Sequence, residues 1–237
     1  MSIAEKLTKL AENEEKVYKA GEKAENDRFW DAFQDKGNRT DYRFAFFFWS
    51  HEEINPKYKI ELLSSDKSAG SMFGGCRNLK RIDKEKFDLS KGFYSPTSSS
   101  STTDCFYQYC NVLEVAPDIG LQPGYLRGTF CDCHALHTIE ILRITEETLI
   151  PSSPTIFRKC NALVNITIEG VIGESGIDLH WSTKLSKESI ESFINALSAT
   201  KTGKSITFST TAKQNAFTDE EWASLIATKP NWTISLS

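Results

Sequence analysis

One residue frame recurs four times in the middle of the chain and limits its fold more than any other feature. The frame reads aromatic-x-x-Cys-x-x-Leu-x-x-apolar. Its aromatic residues are Phe73, Tyr107, Phe130 and Phe157. Its cysteines are Cys76, Cys110, Cys133 and Cys160, so that successive copies begin 34, 23 and 27 residues apart. Units of this length bury their apolar side only by stacking on their neighbours, so the frame predicts a repeat protein.

The constant positions of the frame suit the interior of such a stack. Free cysteine is among the most buried residue types and behaves as a small hydrophobe, which fits a sharp turn of the chain. The last two copies continue as "IEI" and "ITI", an alternation typical of short strands. Stacking would place these strands side by side in a parallel sheet. In the third copy, the residues predicted to face the core are Phe130, Cys133, Leu136, Ile139 and Ile141.

The frame resembles the repeat of BspA-type bacterial leucine-rich repeat proteins, Phe-x-x-Cys-x-x-Leu-x-x-Ile-x-Ile. The copies at Phe130 and Phe157 match it fully, and the copy at Phe73 matches its first half. The second copy has Tyr107 in place of Phe and Ala116 in place of Ile. The resemblance covers residues 72–170, interrupted by a Ser-rich insertion at 95–104. It implies an α/β fold, a leucine-rich-repeat-like right-handed solenoid with parallel strands.

The layout of the whole chain is also similar to a group of uncharacterised leucine-rich repeat proteins from gut Firmicutes and their prophages. The shared features are an opening like "MSIAEKLTKLAENEEKVY", the stretch "DRFWDAFQ", the repeats and an "NWT" ending. This similarity implies a phage-tail or host-recognition setting. It implies no catalytic activity.

Residues 1–27 predict an N-terminal helix, because Ser2 and Glu5 form a capping box before a heptad-like pattern. The apolar positions of that pattern are Ile3, Leu7, Leu10, Val17 and Ala24. Glu14 and Gly21 interrupt the seam. The segment therefore fits a charged helix beside the domain, or a short coiled coil that forms a homo-oligomer through residues 3–24.

Residues 28–71 form an aromatic-rich segment, predicted to cap the first repeat because an open stack exposes an apolar end. A platform for sugar rings is the alternative. The aromatic side chains are Phe29, Trp30, Phe33, Tyr42, Phe44, Phe46, Phe47, Phe48 and Trp49.

Residues 171–237 change period and predict helix-bearing α/β coils that end the solenoid. Ser186 caps a helix that Gly203 is expected to stop, and a strand follows over 205–209. Thr218 and Glu221 form a capping box for a second helix, before a last strand over 232–236. Such crossovers favour parallel strands in the same sheet as the repeats.

Composition narrows the classes of function. Net charge is −4 and no Lys/Arg-rich run occurs, which disfavours nucleic-acid binding. No stretch of 18 apolar residues and no secretory signal is visible, so the sequence predicts no membrane span and a cytoplasmic or virion-associated protein. In that setting the six cysteines are expected to be reduced thiols.

The stretch "FCDCHALH" offers two sharper hypotheses. Cys131, Cys133, His134 and His137 resemble soft metal ligands, but Cys133 is a frame residue and the others fall on variable positions. A Cys-His hydrolase would pair Cys131 or Cys105 with His134 or His180, without any supporting local motif. The sequence therefore favours no metal, no cofactor and no enzyme activity.

The remaining function is binding, because solenoids expose a regular face on which the variable residues differ. We expect a non-enzymatic module that recognises a protein or glycan partner in a phage or host-surface setting. The alternative is an assembly protein of a phage tail-like particle, oligomerised through the N-terminal helix. The candidate binding residues are Lys80, Arg81, His134, His137, Glu140 and Arg143.

Overall fold

The structure, a computed structural model, describes residues 45–57, 59–61, 70–90, 105–122, 124–151 and 155–237, with short N-terminal stretches at 9–10, 12–14, 16–17 and 27–28. The chain divides into two compact units, Met1–Arg39 with Pro56–Tyr58, and Thr40–Asn55 with Lys59–Ser237. In the first unit, the described residues between 9 and 28 are helical. The Ser-rich insertion at 95–104 and the aromatic residues from Phe29 to Phe44 lie outside the described residues.

The second unit is a mixed α/β structure in which every strand pair is parallel. Its strands are β1 (Glu53–Ile54), β2 (Ile60–Glu61), β3 (Arg81–Ile82), β4 (Phe87–Asp88), β5 (Val115–Ala116), β6 (Thr138–Ile144), β7 (Asn165–Gly170), β8 (Ile177–Leu179), β9 (Lys204–Phe208) and β10 (Trp232–Leu236). Its α-helices are α1 (Lys187–Ala196), α2 (Thr210–Ala216) and α3 (Asp219–Ala227), and Lys84–Lys86 form a 3-10 turn. The sheets are β1-β3, β2-β4, β5-β6-β7 and β8-β9-β10.

The copies of the frame lie directly against one another. Each frame cysteine donates its thiol to the carbonyl of the aromatic residue one copy earlier: Cys110 to Phe73 at 3.1 Å, Cys133 to Tyr107 at 2.9 Å and Cys160 to Phe130 at 3.0 Å. The aromatic rings of these copies stack with centroids 5.4 to 5.7 Å apart. The frame aromatics, cysteines and leucines are all buried, as the sequence predicts.

Two further copies flank the four that the sequence reveals. Phe46 stacks on Phe73 with centroids 5.4 Å apart, and its carbonyl accepts the Cys76 thiol at 2.9 Å. At the other end, Leu179 and Ser182 take the aromatic and cysteine positions, and the Ser182 hydroxyl donates to Cys160 O at 3.4 Å. Neither copy keeps both the aromatic and the cysteine, so the frame does not detect them.

Strand β6 departs from the predicted alternation. Its register against β7 shifts between Ile139 and Leu142. Leu142 and Ile144 are buried, whereas Ile141 is half-buried. The prediction that Ile141 faces the core is therefore wrong, because the bulge moves the inward position one residue along the chain.

Helix α1 ends the repeat sheet. Ser189 Oγ accepts the N–H of Ile166 at 3.0 Å, and Ser192 Oγ accepts the N–H of Ile168 at 2.8 Å, so helix serines occupy the edge of β7. Strands β8 to β10 consequently form a separate sheet rather than continuing that of the repeats. The helix also ends at Ala196, well before Gly203, which corrects the predicted stop.

The remaining C-terminal predictions agree with the structure, apart from one missed helix. The Ser186 cap, the Thr218–Glu221 capping box and the strands β9 and β10 are confirmed. Helix α2, which begins after the N-cap Ser209, is not predicted. No helix in the described part of the chain is both long and apolar enough to cross a membrane.

Lys229 and Trp232, at the start of the C-terminal strand segment, donate hydrogen bonds to carbonyls at the C-terminus of α1. Lys229 Nζ donates to Asn195 O at 2.9 Å and to Leu197 O at 2.6 Å. Trp232 Nε1 donates to Ser198 O at 2.9 Å. A cation and side-chain donors at this position satisfy the terminal carbonyls and complement the helix dipole.

Candidate functional site

Four of the six predicted binding residues are exposed, namely Lys80, Arg81, His134 and His137. Lys80 and His137 each lie four residues after a frame cysteine, and Glu114 has the same position in the copy between them. His137 N donates to Glu114 O at 2.8 Å. We define the strand face as the exposed side chains around these positions, which are Lys80, Arg81, Tyr109, Val112, Glu114, Val115, His134 and His137.

The two cations of the strand face are held by exposed ion pairs. Lys80 Nζ lies 2.7 Å from Glu52 Oε1, and Arg81 Nη2 lies 2.8 Å from Glu53 Oε2. Lys80 remains 58% exposed and Arg81 74% exposed. Ion pairs this exposed contribute about 0–1 kcal/mol, so both cations can exchange these partners for a ligand's groups at little cost.

Glu140 and Arg143 behave differently from the other four candidates and correct the prediction that they are exposed. Arg143 is half-buried and binds Asp118 through both Nη atoms, with Nη2 at 2.9 Å from Oδ2. Glu140 Oε2 accepts the N–H of Asp118 at 2.9 Å and pairs with Lys84 at 2.9 Å. These half-buried side chains connect successive copies.

The electrostatics of this network agree with a structural role. The hydrogen bond from Arg143 lowers the pKa of Asp118, although partial burial opposes it. Burial also opposes ionisation of Glu140, but the Asp118 N–H and Lys84 outweigh it and leave the Glu140 pKa lowered. Both carboxylates are therefore charged and occupied at neutral pH.

Cys131 is buried although it falls on a variable position of the frame, unlike His134 and His137, which are exposed. Its Sγ donates to Asp132 Oδ2 at 3.0 Å. Asp132 is itself buried and pairs with Arg158 at 2.8 Å and Lys159 at 2.9 Å from the next copy. Burial raises the pKa of Cys131, and the neighbouring carboxylate of Asp132 raises it further. This thiol is a poor candidate for a nucleophile.

The histidines of the hydrolase and metal hypotheses lie in different parts of the fold. His180 Nδ1 lies 2.7 Å from Asp178 Oδ1. No group of three or more His, Cys, Asp or Glu side chains among the described residues is arranged to hold a metal ion. His134 and His137 are separately exposed on the strand face, where His137 Nδ1 lies 3.0 Å from Thr138 Oγ1.

Sequence reasoning missed the apolar centre of the strand face. Tyr109, Val112 and Val115 are 38%, 38% and 41% exposed, and all three belong to the second copy of the frame. Tyr109 has a left-handed backbone with φ 63°, at the frame position where the preceding copy has Gly75. A bulky residue costs about 1–2 kcal/mol in this conformation relative to glycine. The available signal was the poor match of this copy to the repeat consensus.

The chain was compared with models of protein families, with curated proteins and with solved structures, and none of them matches it.

Proposed function

We propose that the chain is a leucine-rich-repeat-type right-handed solenoid that binds a protein partner through its strand face and catalyses no reaction. The stacked frame aromatics and the thiol-to-carbonyl bonds between successive copies support the solenoid. The parallel pairing of β5, β6 and β7 supports the right-handed connection, which such crossovers strongly favour.

The observation that carries the binding function is the exposed group Tyr109, Val112 and Val115 of the second copy, together with the exposed Lys80 and Arg81 of the first copy and His134 and His137 of the third. Protein interfaces combine an apolar centre, often with tyrosine and arginine, and a polar rim. The two valines beside Tyr109 cannot hydrogen-bond to a sugar ring. The surface therefore favours a polypeptide partner over a glycan.

The strand face can be tested with matched variants of the full chain. Val115→Lys introduces a charge at its centre, and Val171→Lys makes the same change at a residue that is also 41% exposed but lies outside the face. Immobilised wild-type protein and Val171→Lys should retain the same proteins from a surface extract of gut Firmicutes, and Val115→Lys should lose them. Equal retention by both variants would refute the site, and binding of wild-type protein to a glycan array alone would refute the polypeptide partner.

A second candidate function, assembly through the N-terminal helix, is favoured by the exposure of two seam residues. Leu10 is 56% exposed and Val17 is 73% exposed. In the full chain, Leu10→Glu with Val17→Glu should lower the mass of the oligomer in light scattering, whereas Asn13→Glu should not. An oligomer mass that the double change leaves unaltered would exclude this role for the helix.

A further inference from the structure

Strand β10 leaves one edge of its sheet open. It pairs with β9 in a parallel ladder, which Ser237 N–H extends to Phe208 O at 3.0 Å and Thr210 N–H to Ser237 O at 2.9 Å. Because residues of a parallel strand alternate between its two edges, Thr233 and Ser235 also bond to β9. Ile234 and Leu236 turn their N–H and C=O groups to the other edge, where no described residue bonds to them.

The chain covers an equivalent edge elsewhere. On β7, serines of α1 accept the backbone N–H groups of Ile166 and Ile168. On β10, residues 231–237 contain no proline and no charged side chain, the usual devices that protect an open edge. Leu236 adds an apolar side chain that is 39% exposed. The open edge therefore has the features of a strand-pairing site.

We propose that β10 pairs with β10 of a second copy of this chain, antiparallel and about a two-fold axis. The side chains of residues 231–237 carry no charge, so two copies meet without like-charge repulsion between these side chains. Identical edges related by a two-fold axis form a closed dimer. Pairing centred on Ser235 uses the N–H and C=O groups of Ile234 and Leu236, because Ile234 then exchanges two hydrogen bonds with Leu236 of the partner subunit, and the same pair recurs across the axis. The two three-stranded sheets become one of six strands.

This register gives a sharp crosslinking test. Ser235 lies opposite Ser235 of the partner subunit in a non-hydrogen-bonded pair, with Cα atoms about 4.5 Å apart. Thr233 instead lies opposite Ser237 of the partner subunit, about 14 Å from its own mate at 3.4 Å per residue. A disulfide needs Cα atoms within about 7 Å. With oxidised glutathione accepting the two electrons and releasing two reduced molecules, Ser235→Cys should form a covalent dimer, whereas Thr233→Cys and wild-type protein should not.

The second measurement is the mass of the full-length protein by light scattering. Wild-type protein should be a dimer, Leu236→Lys should be a monomer because each ammonium group would lie against Ile234 of the partner subunit and near the second ammonium group, and Val171→Lys should remain a dimer. Hydrogen exchange should slow at the amides of Ile234 and Leu236 as wild-type concentration rises. A wild-type monomer, a dimer unchanged by Leu236→Lys, or equal crosslinking of the two cysteine variants would overturn the proposal. None of these outcomes depends on the strand face.

Discussion

At the scale of single residues, the two cysteines of "FCDC" have different roles. Cys133 fills a buried frame position and donates to Tyr107 O, and its burial raises its pKa. The repeat pattern was sufficient to predict that burial. The burial of Cys131 was not predictable, since it depends on the left-handed turn at Asp132, φ 61°, and on Arg158 from the next copy. Such a contact joins residues that the frame treats as variable.

The hydroxyl of Tyr107 is expected to destabilise the folded protein. The Tyr107 side chain is buried, its OH has no hydrogen-bond partner in the described structure, and the other three frame aromatics are phenylalanine. Tyr107→Phe should therefore stabilise the protein by about 1 kcal/mol in urea unfolding. The reverse change, Phe130→Tyr, should destabilise it by about 1–3 kcal/mol. A loss of stability in Tyr107→Phe would mean that the hydroxyl has a partner.

Asp132 should make the stability of the protein fall at low pH. Burial opposes its ionisation, but the hydrogen bonds from Cys131, Arg158 and Lys159 prevail and hold its pKa well below the usual value. Because the Asp132 pKa is lower in the folded state, its ionised carboxylate stabilises the fold at pH values above the unfolded-state pKa of about 4. This stabilisation is lost as pH falls through the folded-state pKa. Asp132→Asn should cost roughly 1–3 kcal/mol at pH 7 and flatten the fall of Tm below about pH 4. Parallel Tm–pH curves for the two proteins would contradict this assignment.

At the scale of secondary-structure elements, local sequence signals predict where single helices and strands begin. Caps at Ser186 and Thr218 gave the starts of α1 and α3, and residue type gave β9 and β10. The contacts between elements could not be predicted from the sequence. Nothing in the local pattern of α1 indicates that two of its serines bond to the edge of β7, and that contact determines where the first sheet ends.

Ser189 should therefore matter more than an ordinary helix serine. Its hydroxyl accepts the N–H of Ile166 and donates to Val164 O at 2.9 Å, in a buried position. Ser189→Ala leaves a buried backbone N–H without a partner and should cost about 1–3 kcal/mol in chemical unfolding. Ser224→Ala, at an exposed site on α3, is the matched control and should change stability by less than about 0.5 kcal/mol. Equal effects would show that the edge contact is not made.

Gly170 marks a second place where elements approach closely. A Cβ there would lie 2.0 Å from Ile144 O, and the backbone has φ 108°. Gly203 also has a positive φ, 66°, but open space around it. Gly203→Ala should cost about 1 kcal/mol for its backbone alone, and Gly170→Ala should cost clearly more because backbone must move. Similar midpoints for the two variants in urea unfolding would argue against close approach at β6 and β7.

At the scale of the whole molecule, the regions that could not be anticipated are those where the repeat is imperfect. The second copy, the poorest match, supplies the apolar centre of the strand face. The first and last copies lack part of the frame, and the last leads into α1 instead of a strand. Stacking requires the frame residues, so a copy that departs from the frame is expected to serve another purpose, such as capping or binding.

The buried frame cysteines, which hydrogen-bond from one copy to the next, can report local opening of the protein. Each of the four frame copies contains a buried frame cysteine, the third copy also contains the buried Cys131, and Cys105 is the only half-buried thiol among the six. A thiol-alkylating reagent reaches such groups only when their copy opens. Pulsed alkylation with peptide mapping would thus report opening copy by copy, without any introduced label. We expect Cys105 to react first. Cys133 has a neighbouring copy on both sides and should be among the slowest cysteines to react.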